Sequence, residues 1–349
     1  MANKSSISSE NPELYSVLKL TFDNLSTIEA HHASVSKPTA PEYEIASFNH
    51  KYATLRGYKY HYVDEGDPNG ELLILIHGFP DLWYGWRYQI RHLVKEGYRV
   101  IAIDNLGNGE TDYPRCDDGN YDPYRTKNLG ANLIDLLDQL NIAQAVFIGH
   151  DWGAAVAWRI GMHYPERCKA IISVGIPYAP PTAEYLDVSK FEAAFPQFKY
   201  WTVFQSKEPE EWFDADPKKM ALAMFNTSYG SGIGTSVQEK QYYIDNYSRT
   251  TLHGGLNYYR AGRLNFEDGL PYVGKPFTVP ALQVIVEKDP IITPAWVAVH
   301  PTDSIVNLKQ VWISEGGHNV HTENPEAVNK ALSEYLAMFF ERQKNPVEP

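Results

Sequence analysis

Cysteine is almost absent: the 349 residues hold two, Cys116 and Cys168. Two are too few for a disulfide framework and wrongly spaced for a zinc site, so they are expected as unpaired thiols in a reducing compartment. Long apolar runs are missing as well. No stretch approaches the roughly 20 apolar residues that a spanning helix needs, so no membrane span is expected. The segment MANKSSISSENPELYSVLKL lacks a basic patch followed by a continuous apolar stretch and does not read as a secretory signal. RQKNPVEP at the other end carries no receptor-read address. Positive charge is in deficit, with 31 Lys and Arg against 43 Asp and Glu and a formal net charge of −12. Nucleic acid and anionic membrane would repel such a chain, so neither is an expected partner. These exclusions leave a cytosolic protein. No motif sets an oligomeric state.

What is present is ordinary globular composition, 43% hydrophobic and 21% charged, at a length that suits one large domain with an insertion or two small ones. Short apolar runs recur: LLILIHG (72–78), RVIAID (99–104), AVFIGHD (145–151), KAIISVG (169–175), ALQVIVEKD (281–289) and QVWISEGGH (310–318). They are β-branched, nearly continuously apolar and mostly end in Gly, Asp or His, as parallel strands covered on both faces do. Helical patterns alternate with them. Residues 124–141 place Leu129, Leu133, Leu136, Leu137 and Leu140 on one face. Residues 325–343 open with Asn324 as N-cap and Pro325 at the first helical position. Alternating strand and helix predicts an α/β fold with a doubly wound, mostly parallel sheet.

The rhythm stops between residues 178 and 275, a stretch crowded with aromatics such as Tyr178, Tyr185, Phe195, Phe198, Tyr200, Trp201 and Phe204. It reads as a mainly helical insertion capping the sheet. The expected organisation is an N-terminal extension (1–45, with one short helix near PELYSVLKLTFDNL), a first core segment (46–177), the insertion (178–275) and a second core segment (276–349).

Ligands of open α/β sheets sit at the carboxyl ends of the strands. Asp151, Asp289 and His318 fall at such ends. Asp151 stands in Gly149-His150-Asp151-Trp152-Gly153, a nucleophile elbow of the G-x-S-x-G kind with Asp in place of Ser. Its other reading is a plain helix N-cap. A carboxylate with a reference pKa of about 3.9 is ionised at neutral pH and needs no base to attack. It suits displacement at an sp³ carbon, giving an ester on the enzyme. His318, after Gly316-Gly317, is the expected base for hydrolysing that ester, with His321 a structural neighbour. Asp289 is expected to hold the imidazole, in preference to Glu287. Backbone N–H groups of Phe79, in His77-Gly78-Phe79-Pro80, and of Trp152 are the expected oxyanion hole. No metal or cofactor is expected.

HGFPDLWYGWRYQI, DNLGNGET and GHDWGAAVAW together resemble soluble epoxide hydrolases of the α/β-hydrolase superfamily, from about residue 45 to 342. The N-terminal extension and Asn108 within GNGET depart from the common pattern. The resemblance implies a small apolar epoxide and water as substrates. It also implies two cap tyrosines that hydrogen-bond the epoxide oxygen: Tyr200, in Tyr200-Trp201-Thr202-Val203-Phe204-Gln205, and Tyr259, in Asn257-Tyr258-Tyr259-Arg260, with Tyr258 the neighbour to distinguish from it. Trp152, Phe79, Phe204 and Trp83 are expected to line an apolar pocket. A dehalogenase shares the Asp and His but needs N–H donors for a halide rather than two phenols. A serine esterase is excluded by Asp at 151 unless its nucleophile lies elsewhere, and a non-catalytic binding protein on this scaffold is a remote alternative, against which the full set of reactive residues stands.

Overall fold

Eight strands make one sheet: β1 His50–Leu55, β2 Tyr58–Glu65, β3 Leu72–Ile76, β4 Arg99–Ile103, β5 Ala145–His150, β6 Cys168–Val174, β7 Ala281–Val286 and β8 Leu308–Ile313. They belong to a computed structural model describing residues 39–225 and 236–344. The short helix expected near residues 12–25 lies outside the described residues. The sheet order is β1-β2-β4-β3-β5-β6-β7-β8, with β2 antiparallel to both neighbours and the other pairs parallel.

The six expected strands are β3 to β8. The hairpin of β1 and β2 was not anticipated. Its register pairs Leu55 with Tyr58 across a two-residue turn, Arg56-Gly57, in which both residues have positive φ. That is the geometry of the favoured hairpin turn.

The helices are α1 Arg87–Lys95, α2 Thr126–Gln139, α3 Trp152–His163, α4 Val188–Ala194, α5 Tyr200–Gln205, α6 Glu208–Asp214, α7 Pro217–Phe225, α8 Val237–Thr250, α9 His253–Arg260, α10 Gly262–Gly269, α11 Pro294–Ala298, α12 Val320–Glu323 and α13 Pro325–Lys344. Side chains alternate across each strand and divide the interior in two. Leu73, Leu75, Val100, Ala102, Val146 and Ile148 join the core that includes Ile90 and Leu93 of α1 and Val328, Leu332 and Leu336 of α13. Leu72, Ile74, Ile76, Ile101, Ala145 and Phe147 face the opposite way, with Leu129, Leu133, Leu136 and Leu137 of α2 and Val156 and Ile160 of α3. A sheet covered on both faces accounts for strands that read as unbroken apolar runs. Each fully buried Leu or Ile contributes roughly 1.5–3 kcal/mol. Asn324 accepts from the Ala327 N–H at 3.4 Å, beside Pro325, the first residue of α13.

Both cysteines are buried and free. Among the described residues, no helix is long and apolar enough to cross a membrane. Between β6 and β7 the chain runs through α4 to α10, with no strand among the described residues there. Strand order reverses between β3 and β5: the chain steps from β3 to β4 on one side, then crosses back to β5 on the other. A crevice opens at the carboxyl ends of such a pair.

Candidate active site

Residues 149–153 form that crevice's floor. Asp151 follows β5 at φ 49°, ψ −125°, a strained conformation for a side chain that is not glycine. Its backbone oxygen accepts from Ala154 and Ala155 and starts α3, but its carboxylate makes no cap bond to that helix. The turn is this sharp because Gly153 lies against the Ile76 carbonyl, where a Cβ would overlap it.

The carboxylate instead meets groups from two other strand ends. Oδ1 accepts from the Phe79 N–H at 2.9 Å, in the loop after β3, whose Phe79-Pro80 bond is cis. Oδ2 lies 3.5 Å from His318 Nε2. His318 Nδ1 is 2.9 Å from Asp289 Oδ2, and Asp289 Oδ1 accepts from the N–H groups of Ile291 and Ile292 at 2.8 and 2.9 Å. A donor to a carboxylate must carry hydrogen, so the Asp289 contact puts a proton on Nδ1 and aims Nε2 at Asp151. Glu287 is exposed, and it is buried Asp289 that reaches the imidazole.

Charge follows from this line of three. Burial opposes ionisation of Asp151, yet His318, His150 and the Phe79 N–H hold its carboxyl below the usual carboxylate range. Asp289 is held down in the same way by His318 and its two N–H donors, against the penalty of burial. Burial alone would lower His318. The two flanking carboxylates more than reverse this and take its pKa up to about 10.

Aromatic rings gather around Phe79, whose N–H reaches the carboxylate, and Trp152, the residue after Asp151. Tyr259, on α9, packs edge-on against Trp152 (4.9 Å), Phe204 (5.1 Å), Tyr200 (6.0 Å) and Phe79 (6.3 Å). Tyr200 and Phe204, on α5, contact each other at 5.2 Å. Helix α9 can lie this close because residue 255 is glycine: a Cβ there would enter the Phe79 ring. Tyr258 points elsewhere, donating from its buried hydroxyl to the Leu106 carbonyl at 2.9 Å.

Of the expected pocket residues, Trp152, Phe79 and Phe204 share this cluster. Trp83 belongs to the same apolar core, with its nearest rings elsewhere. It is fully buried, its ring meets Phe48, His50 and Tyr84, and its indole N–H donates to Tyr242 at 2.8 Å. It packs under the hairpin that was missing from the sequence reading, so its partners were missing too. His150 and Asp81 also went unnoticed: His150 Nε2 donates to the His318 carbonyl at 2.7 Å, and Asp81 bonds His321 at 3.1 Å. Their positions beside the elbow and the His-Gly-Phe-Pro turn were the available signal.

The family profile described as the alpha/beta hydrolase fold matches residues 71–325. Bifunctional epoxide hydrolase 2 of Mus musculus is 32% identical over 314 residues, covering 82% of this chain and 55% of that protein, so the chain spans about half that relative's length. Epoxide hydrolase srdG of Neurospora crassa is 30% identical over 331 residues, covering 83% and 96%. The crystal structure of epoxide hydrolase A from Mycobacterium thermoresistibile superposes with a TM-score of 0.72 at 30% identity, covering 83% of this chain and 98% of that one.

Proposed function

Because this chain belongs to the epoxide hydrolases of the α/β-hydrolase fold family, we propose that it converts small apolar epoxides and water to vicinal diols through an ester on Asp151. The observation that carries this reading is an ionised Asp151, between the Phe79 N–H and His318 Nε2, with the rings of Phe79 and Trp152 beside it packed on Tyr259, which meets Tyr200.

In the first step a carboxylate oxygen of Asp151 attacks an epoxide carbon, and the C–O bond breaks. The departing alkoxide takes a proton from Tyr200 or Tyr259, whose phenols, with a reference pKa of about 10, are donors at neutral pH. The His318 imidazolium returns a proton to the phenol and becomes neutral.

Ester formation helps that release. Two anions hold His318 up near 10, and esterification removes the charge of one, so the imidazole falls toward its ordinary range and becomes a base. It then draws a proton from water as the water attacks the ester carbonyl carbon. The Phe79 and Trp152 N–H groups stabilise the oxyanion. Collapse expels the diol. Of the two water protons, one leaves with the diol and the other restores the His318 imidazolium.

In this proposal residues 178–275 act as the cap over residues 46–177 and 276–349, and the chain works in the cytosol, where two buried free thiols are at home. The test of the activity is a panel of styrene oxide, an epoxy fatty acid and a haloalkane. Diol from the epoxides, without halide from the haloalkane, is the expected result. Halide without diol overturns it in favour of a dehalogenase.

The tyrosine pair predicts a graded loss. Changing Tyr200 or Tyr259 to Phe removes one donor to the developing alkoxide and should slow ring opening of order 10²-fold or more. Changing both should nearly silence it. Single Phe variants that open the ring at the wild-type rate, measured in stopped flow, would show that other groups hold the oxygen.

A further inference from the structure

Behind the nucleophile lies a second acid–imidazole pair that neither half-reaction uses. Asp81 follows Pro80 in the loop that carries Phe79, and its buried Oδ2 lies 3.1 Å from His321 Nε2. His321 is fully buried on α12, three residues after His318, with its ring 4.3 Å from that of His150 and 4.8 Å from that of Trp86. The other Asp81 oxygen accepts from the Tyr243 hydroxyl at 2.7 Å and the Leu82 N–H at 2.8 Å. Donors to both oxygens offset the burial of this carboxylate.

The two ends of this pair belong to the two loops that meet on Asp151. One loop delivers the Phe79 N–H to Oδ1, and the other brings His318 Nε2 toward Oδ2. We propose that Asp81 and His321 are positioning residues that set the spacing between the Phe79 N–H and the His318 imidazole. The inference rests on the two-step reading above and assigns the pair to its second step. Breaking the epoxide C–O bond uses the Asp151 carboxylate and the phenols, with His318 returning its proton only afterwards, so this step does not depend on the spacing between the two loops. Ester hydrolysis does depend on it. Water held by His318 must meet a carbonyl carbon whose oxygen is held by Phe79, and an error of about 1 Å in such a geometry can cost about 10²-fold in rate. His150, which donates to the His318 carbonyl, ties the same loop to the nucleophile strand but not to Phe79.

The test separates the two steps in single turnovers of the full chain with styrene oxide. Ring opening is read from Trp fluorescence, Trp152 being next to the nucleophile, and ester lifetime from intact mass. His321→Phe keeps a ring and removes the donor. It should open the ring at close to the wild-type rate and hydrolyse the ester roughly 10–100-fold more slowly, so that the adduct accumulates. His321→Gln keeps an N–H donor and should recover most of the rate. Adding Asp81→Asn to His321→Phe should add little, since both remove one contact. An equal fall in both steps, no change in either, or a Gln variant as slow as the Phe variant would overturn the assignment. If the Phe variant does not fold, Asp81→Asn alone is read by the same split. An adduct trapped by His318→Gln but not by His321→Phe overturns this inference alone, whereas no adduct in His318→Gln overturns the two-step reading itself.

Discussion

Replacing Asp151 with Ala should abolish diol formation, a fall of order 10⁴-fold or more, because no other carboxylate can take over the attack. Asp289 and Asp81 are the acids bonded to the neighbouring loops. Asp289 is occupied by His318 and the N–H groups of Ile291 and Ile292. Asp81 is occupied by His321, Tyr243 and Leu82. Each carboxylate is already engaged by donors on its own side of the site, so a substrate at the elbow of the variant meets a methyl group where the attacking oxygen stood. A melting curve guards against the trivial explanation. The elbow's backbone is set by β5, α3 and the contact of Gly153 with Ile76, so the variant should stay folded while it is inactive. Diol production at the normal rate by a folded Asp151→Ala protein would refute the nucleophile.

The sheet's interior was legible because parallel strands buried on both faces must be apolar throughout. The hairpin was not, because β1 and β2 lie at one edge of the sheet and carry mixed patterns. β1 alternates between exposed and partly buried positions, and β2 buries His61 and Asp64 beside Tyr60 and Tyr62. A search for apolar runs passes over both, whereas the Arg56-Gly57 dipeptide between two aromatic-rich stretches was the sign available. Strand ends were also read too late. The run to residue 289 ends as a strand at Val286, and the run to residue 318 ends at Ile313. The excess is the loop on which Asp289 and His318 stand, and loops that carry chemistry start where the ladder stops.

Asp151, Asp289 and His318 could be singled out by place and chemistry together, since each is polar and follows an apolar run. Tyr200 and Tyr259 could not. Among 24 tyrosines only the resemblance marks them, and in the structure Tyr259 touches Phe79, Trp152, Phe204 and Tyr200, all distant from it in sequence. Trp83 sits in the same motif as Phe79, yet its nearest rings include Phe48 and His50, at the start of the hairpin, and Tyr242 of a distant helix. Asp81 and His321 are 240 residues apart, and no local pattern links them. Pairs of that kind are set by tertiary packing, and a lone buried acid or imidazole reads in sequence as an ordinary loop residue.

Changing His318 to Gln should leave ring opening intact and stall the enzyme as an ester. Gln cannot take a proton from water, whereas Asp151 attacks without a base. Its amide also carries no charge. Asp151 therefore loses the stabilisation that His318 provides, and its pKa should rise from a depressed value toward the ordinary carboxylate range, still ionised at neutral pH. Intact-mass measurement should show protein plus one substrate, in close to one equivalent. Isotopic oxygen gives the same answer in the unmodified protein. With enzyme in excess in ¹⁸O-water, the first diol should carry ordinary oxygen taken from the carboxylate, and the label should appear in the peptide that holds Asp151. The wild-type ester should also decay faster as pH rises through the His318 pKa of the esterified form, because only the neutral imidazole accepts a proton. That pKa should lie below the value of about 10 set by two carboxylates in the free enzyme, since the ester leaves only Asp289 beside the ring. A histidine that activated water directly on the epoxide would put the label in the first diol, leave no adduct in the Gln variant, and leave the pH dependence on the free-enzyme value.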